Sequence, residues 1–294
     1  MKELYFKVAD TYFKVVIPAE WNEGRLLPSF VGFYYPTVPD EEPIFTAWIN
    51  TGDMPSSEEE REVIGTSYND LGHLRLLRGK SSYQAEMHYG NEGFMHWWIS
   101  DKGFSCIHAR LCTSDPHLDI ALSSVLRIGF SQGILRRNGI SIHSSCVWKD
   151  GLAYLFLGKS GTGKSTHSRL WMKYLDEVQL LNDDNPALRI MDGKVCVYGT
   201  PWSGKTPCYK PLSFPVAALV RLEQAPDNRF RMLESIEAFA ALLPSCSVVQ
   251  SDRQLQDLLY DTLAEVCESV KVGWMECLPD EEAALLCHKS LTEG

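Results

Sequence analysis

No apolar stretch in the 294 residues approaches the roughly 18–20 that cross a membrane as an uninterrupted helix. The opening run MKELYFKVADTYFKVVIP alternates charge and bulk like paired strands, and lacks the apolar core and cleavage site of a secretory signal. Positive charge is in deficit: 28 Lys plus Arg stand against 38 Asp plus Glu, a formal net charge of −10. That excludes the dominant basic face of a general nucleic-acid binder, though not a local basic patch. The nine cysteines form no C-x-x-C pair, and Cys106, Cys146 and Cys196 sit in apolar runs. Such a pattern suits buried free thiols in a reducing compartment better than a disulfide framework, so a cytoplasmic location is expected. Internal repeats and low-complexity tracts are missing too. What remains is 45% hydrophobic and 22% charged, a globular composition with enough chain for one large domain or two ordinary ones.

A β-rich N-terminal domain is expected over residues 1–113. Aromatic and β-branched residues mark strands at 31–35, 44–49, 71–77, 82–88 and 93–99, separated by turn signals at 36–40, 90–93 and 101–103. The stretch 55–61 reads as a solvated loop or a capped helical turn. The many aromatics suit core packing and cross-strand pairs, with an aromatic binding surface as the alternative. At Ser114-Asp115-Pro116 the period changes. Ser114 reads as an N-cap with proline in the first turn, and Leu118, Ala121, Leu122, Val125, Leu126 and Phe130 trace one helix face. Arg136 and Arg137 suit the helix C-terminus and Gly139 its stop, giving a connecting helix over 114–138. From 139 to 294 the pattern is α/β: strands at 140–148, 152–157, 178–181, 195–198 and 274–278, with helices at about 164–175, 255–266 and 280–288.

Gly158-Lys159-Ser160-Gly161-Thr162-Gly163-Lys164-Ser165 matches G-x-x-x-x-G-K-[ST] in full. Glycines let such a loop fold into a nest of inward N–H groups, and the helix that follows adds its positive N-terminal end. Lys164 would neutralise β- and γ-phosphates, Ser165 would ligate Mg²⁺, and Thr166 continues the binding segment. An apolar strand directly before Gly158 and helix-forming sequence after Ser165 supply the context the motif needs. The alternative is a plain glycine turn.

Downstream, Leu180-Leu181-Asn182-Asp183-Asp184 is a strand ending in two acids, where α/β folds bind ligands. One carboxylate can enter a Mg²⁺ shell and the other can accept a proton from an attacking hydroxyl. An Asx turn with capping carboxylates is the structural alternative. His143, in Ser141-Ile142-His143-Ser144-Ser145, is by itself as well explained by core packing. The Gly- and Pro-rich loop at 199–206 carries Lys205, which either faces a substrate or belongs to an ordinary loop.

Taken together, His143, the strand hairpin after it, the loop at 158–165 and Asp183-Asp184 resemble the C-terminal domain of HPr kinase/phosphorylase. That domain shares its mixed-sheet core with the phosphoenolpyruvate carboxykinases. The likeness is clearest over 139–205 and weaker to 294, and the N-terminal half has no counterpart. It implies ATP and metal at Lys164 and Ser165, Asp184 as proton acceptor, and His143 pointing into the active site. With the acid pair so divided, Asp183 is expected on the metal, and His143 and Lys205 are expected to line the transferring phosphoryl group. The family's later strand carries a glutamate and an arginine ahead of a glycine; here that stretch is Val195-Cys196-Val197-Tyr198-Gly199. The resemblance therefore implies a kinase without phosphorylase activity, acting on a protein or peptide serine other than that of HPr. A small-molecule kinase, a carboxykinase-like enzyme and a non-catalytic nucleotide-binding regulator are the alternatives. The expected partners are a nucleotide and a phosphoacceptor, with neither nucleic acid nor membrane; a homo-oligomer stays open.

Overall fold

Residues 1–52, 60–69, 72–89, 93–204 and 206–293 are described in a computed structural model of the chain. Most of the stretch expected at 55–61, most of the turn at 90–93, and Lys205 lie outside the described residues. The chain divides into two units, Met1–Arg136 with Val249–Leu255, and Arg137–Val248 with Gln256–Gly294. Each is built on a large mixed sheet with few helices.

The first unit opens with the hairpin of β1 (Lys2–Val8) and β2 (Thr11–Ile17). Ala9 and Asp10 join them with φ of 50° and 51°, the positive values a two-residue hairpin turn needs. Alternation puts Leu4, Phe6, Val8, Phe13, Val15 and Ile17 on the inner face. A one-turn helix α1 (Glu23–Leu26) follows, then β3 (Tyr34–Tyr35), β4 (Thr46–Ile49), β5 (Glu62–Asn69), β6 (Gly72–Arg78), β7 (Ser82–Tyr89), β8 (Met95–Asp101) and β9 (Cys106–Arg110). The strand order is β3-β1-β2-β4-β9-β8-β7-β6-β5, with β4 parallel to both neighbours. The strand expected at 31–35 is mostly a 3₁₀ turn, Pro28–Phe33, which buries Phe30 and Phe33.

Helix α2 (Leu118–Gly133) lays Leu122, Leu126 and Phe130 into the core, with Phe130 6.3 Å from the Phe13 ring. Its residues fall in the first unit. Its N-cap is His117, not Ser114; the Asp115 carboxylate accepts the His117 N–H at 2.7 Å, so Pro116 precedes the helix. Asn138, at φ 50°, makes the turn assigned to Gly139, which instead starts the next strand. The segment Leu118–Arg137 is long and apolar enough to cross a membrane by length and composition, contrary to the sequence reading. Asp119 and Arg127 hide that feature in the sequence, and most of the segment is buried.

The second unit contains β10 (Gly139–Ser141), β11 (Ser144–Lys149), β12 (Leu152–Leu157), α3 (Lys164–Tyr174), β13 (Gln179–Asn182), β14 (Ala187–Met191), β15 (Lys194–Tyr198) and β16 (Ser213–Gln224). β17 (Arg229–Leu233), α4 (Ser235–Leu242), α5 (Arg253–Ser269), β18 (Lys271–Cys277) and α6 (Glu281–Thr292) complete it, α5 starting in the segment assigned to the first unit. The order is β10-β14-β15-β16-β12-β11-β13, with β18 on β16 and β17 on β18. The strand expected at 140–148 is two strands. β10 pairs with β14, β11 pairs with β12 and β13, and Ile142 between them bridges to Cys246.

β12, β16 and β18 run parallel, so their carboxyl ends share one edge of the sheet. One face of these strands carries Tyr154, Phe156, Val220, Leu222 and Met275, packed on Trp171 of α3 and on Ala283, Ala284 and Cys287 of α6. The Trp171 ring lies 5.2 Å from Phe156 and 4.9 Å from Tyr154. This packing fixes α3, and with it the loop that enters α3, at the carboxyl edge.

Candidate functional site

β12 is buried from Ala153 to Leu157, and the chain leaves the sheet at Gly158. Gly161 and Gly163 adopt φ of 81° and 106°, where a side chain would be strained. The turn between is held by Thr162, whose N–H and Oγ1 both donate to the Lys159 carbonyl, at 3.1 and 2.7 Å. Gln224, at the end of β16, donates to the Gly161 carbonyl at 3.2 Å. Gly163 is the N-cap of α3 and has no side chain to satisfy the first N–H groups of the helix. Lys164, Ser165 and Thr166 form that first turn, and Arg169 donates to Thr166 Oγ1 at 3.3 Å.

The Lys164 side chain folds back inside the loop. Nζ donates to the carbonyls of Gly158 and Lys159 at 3.0 and 3.3 Å, and the residue is only 9% exposed. Burial lowers its pKa. The charges of Asp184 and Asp183 oppose that shift and the charge of Arg221 adds to it. Loop lysine, acid pair and Arg221 thus share one electrostatic neighbourhood.

The acid pair is set by Asn182, whose role the sequence reading passed over. Asn182 Oδ1 accepts the N–H groups of Asp184 and Asn185, both at 3.0 Å, while Nδ2 donates to the Trp202 carbonyl at 3.0 Å. The Asx turn here is closed by the Asn182 amide and not, as in the structural alternative, by the aspartate carboxylates, which take other partners. Asp183 is buried and accepts from Ser145 Oγ at 2.6 Å. The same Ser145 hydroxyl meets Ser168 Oγ of α3 at 2.6 Å. Ser168 lies three residues after Ser165, on the same helix face, so Asp183 sits along the flank of α3 that carries the Ser165 hydroxyl. Asp184 Oδ1 takes a 3.0 Å contact from His143 Nδ1, and Oδ2 accepts from Asn185 Nδ2 at 2.5 Å. His143 is anchored by its own N–H to the Ser245 carbonyl at 2.7 Å, and the Ser144 N–H donates to the Asp184 carbonyl at 3.0 Å.

Gly204, in the segment after β15, lies against these acids. A Cβ on Gly204 would lie 2.9 Å from the Asp183 carbonyl oxygen, so only glycine allows that approach. The chain thus brings together the glycine loop, Lys164, Asp183, Asp184 and His143. Ser145, Ser168, Asn182 and Arg221 are the additions sequence reasoning did not find. An asparagine ahead of two aspartates is a readable turn signal; Arg221 had none.

Two grooves flank the glycine loop. On the α3 side, about 460 Å³ is lined by a mix of apolar groups, among them Leu170, Leu222 and Leu278, and polar ones, Thr166, His167 and Gln224. On the other, about 490 Å³ is lined by charged and aromatic groups, including Lys159, Arg221, Glu223 and Trp274.

No protein-family model and no curated protein matches the chain. Among solved structures it is similar to the HPr(Ser) kinase/phosphatase from Coxiella burnetii, at 14% identity and a TM-score of 0.31, over 52% of this chain and 99% of that one. A likeness that distant fixes neither family nor activity, which leaves both to the residues of the site.

Proposed function

We propose that the second unit is an ATP- and Mg²⁺-dependent phosphotransferase that moves the γ-phosphoryl group to a hydroxyl, a serine on a protein or peptide. One observation carries the reading: a buried lysine, seated in a glycine loop at a helix N-terminus, lies within the electrostatic reach of two strand-end carboxylates. The loop N–H groups and the N-terminus of α3 suit the triphosphate, and the adjoining groove, with both apolar and polar walls, suits the base. Lys164 balances charge on the β- and γ-phosphates. Its lowered pKa reflects a desolvated ammonium, whose attraction for an anion is weakly screened.

The donor set fits Mg²⁺. The Ser165 hydroxyl and the Asp183 carboxylate are hard oxygen donors on one flank of α3, and Mg²⁺ is commonly held by one or two protein oxygens plus phosphates. Among the described residues no cluster of three or more His, Cys, Asp or Glu forms a self-sufficient cage. When bound, the ion would neutralise the phosphate oxygens and orient the terminal group.

Asp184 accepts the proton of the acceptor hydroxyl while the bond from phosphorus to the bridging oxygen of ADP breaks and the bond to the acceptor oxygen forms. His143 holds Asp184 Oδ1 and keeps the carboxylate oriented. Lys205 is assigned to the phosphoryl group from its place in the sequence, next to Gly204.

The test is incubation with γ-labelled ATP, Mg²⁺ and host extract, followed by mass spectrometry of the labelled species. Phosphoserine formed by the wild type and not by Asp184→Asn supports the reading. Tight ATP binding without any transfer would favour the nucleotide-binding regulator instead.

A further inference from the structure

Arg221 lies in one row across the sheet. Strand register places Leu157 of β12 beside Arg221 of β16, Arg221 beside Trp274 of β18, and Trp274 beside Arg231 of β17. Leu157 is the residue before Gly158, so this row runs directly under the glycine loop. Val220 and Leu222, on either side of Arg221, point into the core against α3, which sends Arg221 to the opposite face. There its Nη1 donates to the Ala241 carbonyl of α4 at 2.9 Å, and its Cζ sits 5.7 Å from the centre of the Trp274 ring. The guanidinium is thus braced from two sides, at a half-buried position in the wall of the charged groove that Lys159 and Ser160 close from above.

The Arg221 charge disfavours the charged form of Lys164, as like charges do. An anion between them reverses the sign, and a transferring phosphoryl group is the anion the site is built to take. A planar fork with donors beyond the one given to Ala241 can reach two oxygens at once. This assignment rests on the phosphotransferase reading and deepens it.

We propose that Arg221 contacts the equatorial oxygens of the γ-phosphoryl group during transfer, from the charged-groove side of the loop, and is a catalytic residue of this site. Arg221 stays protonated throughout; the proton of the acceptor goes to Asp184, and ADP leaves as the bridging bond breaks. The contact strengthens as charge shifts in the transition state, so its loss falls on turnover and not on ground-state ATP affinity.

ADP with aluminium fluoride and Mg²⁺ mimics the planar phosphoryl group and needs no knowledge of the acceptor. Calorimetry with ATP and trapping of ADP–aluminium fluoride are compared for wild type, Arg221→Met and Arg221→Lys. Arg221→Met is expected to keep ATP affinity within about threefold and to weaken trapping by about 10²-fold or more. Arg221→Lys should fall between the two, and it carries the test by itself should the Met variant fail to fold. Undiminished trapping in Arg221→Met would overturn the assignment. So would a parallel loss of ATP affinity, the mark of a merely structural brace, or a wild type that binds ATP and traps nothing. A wild type that binds no ATP would remove the phosphotransferase reading itself, and the assignment with it.

Discussion

Both units bury charge, and they treat it differently. In the first, the Asp115 carboxylate is saturated by its own neighbours: Oδ2 meets His96 Nε2 at 2.6 Å and Oδ1 accepts the His117 N–H at 2.7 Å. His96 Nδ1 in turn accepts the Cys112 N–H at 3.2 Å, so the ring is neutral with its proton on Nε2. That network closes on itself and ties the start of α2 to the sheet. In the second unit, Lys164 is held by two carbonyls at the mouth of a loop, with cation and carboxylates gathered around it. Charge placed for architecture is fully answered inside the protein. On the proposed function, the charge of the second unit is what the bound phosphate meets.

The strongest way to break this contrast is to damage the first unit and watch the second. Phe13 is fully buried, stacked 4.9 Å from Phe45 and 5.3 Å from Phe6. Phe13→Ala should cost about 3–5 kcal/mol of stability in denaturant melts. ATP affinity of the folded protein should stay within about threefold of wild type, since no first-unit residue belongs to the proposed site. A large loss of affinity at a temperature where the protein is still folded would show that the chemistry is not confined to the second unit.

His167 sharpens the contrast from inside the second unit. It is buried between Phe156 and Trp171, its Nε2 accepts from Trp171 Nε1 at 3.1 Å, and burial lowers its pKa from 6.5 to about 4. A depressed folded-state pKa means the neutral ring is favoured by folding. The stability it contributes is complete above pH 6.5 and is lost as pH falls toward 4, by about 3 kcal/mol in total. Urea melts from pH 7 to pH 4 should show that fall in the wild type and a shallower one in His167→Gln. Identical slopes would mean that other groups govern the acid sensitivity.

Asp184→Asn tests the ligand-directed half directly. Amide replaces carboxylate with little change in size, so ATP binding should survive while phosphoryl transfer falls by about 10²-fold or more. Full turnover in that variant would remove Asp184 as proton acceptor and shift attention to His143.

The segment from β12 through α3 was legible because each signal there is local: a six-residue apolar strand, glycines where the turn needs positive φ, and helix formers after them. The acid pair was legible for the same reason. β16 was not. Pro215 argues against a central strand, yet it is tolerated because residues 213–215 pair only with β15, while pairing with β12 begins at Val216. Arg221 was hidden with it, since its place under the loop is set by strand register, a long-range property. The split of 140–148 into β10 and β11 had no sequence signal either; it follows from Ile142 bridging to Cys246, about a hundred residues away. The start of α2 was misplaced because Ser114-Asp115-Pro116 offers two capping residues, and the Asp115 carboxylate, not Ser114, takes an N–H at that end.

Lys164 is the central charge of the proposed site, and calorimetric titration of Mg²⁺-ATP into wild type and Lys164→Ala measures its role most directly. The expected result is saturable binding by the wild type and an affinity at least tenfold lower in the variant, a difference of about 1.4 kcal/mol or more, with the fold retained by circular dichroism. Equal affinities in the two proteins would contradict the account.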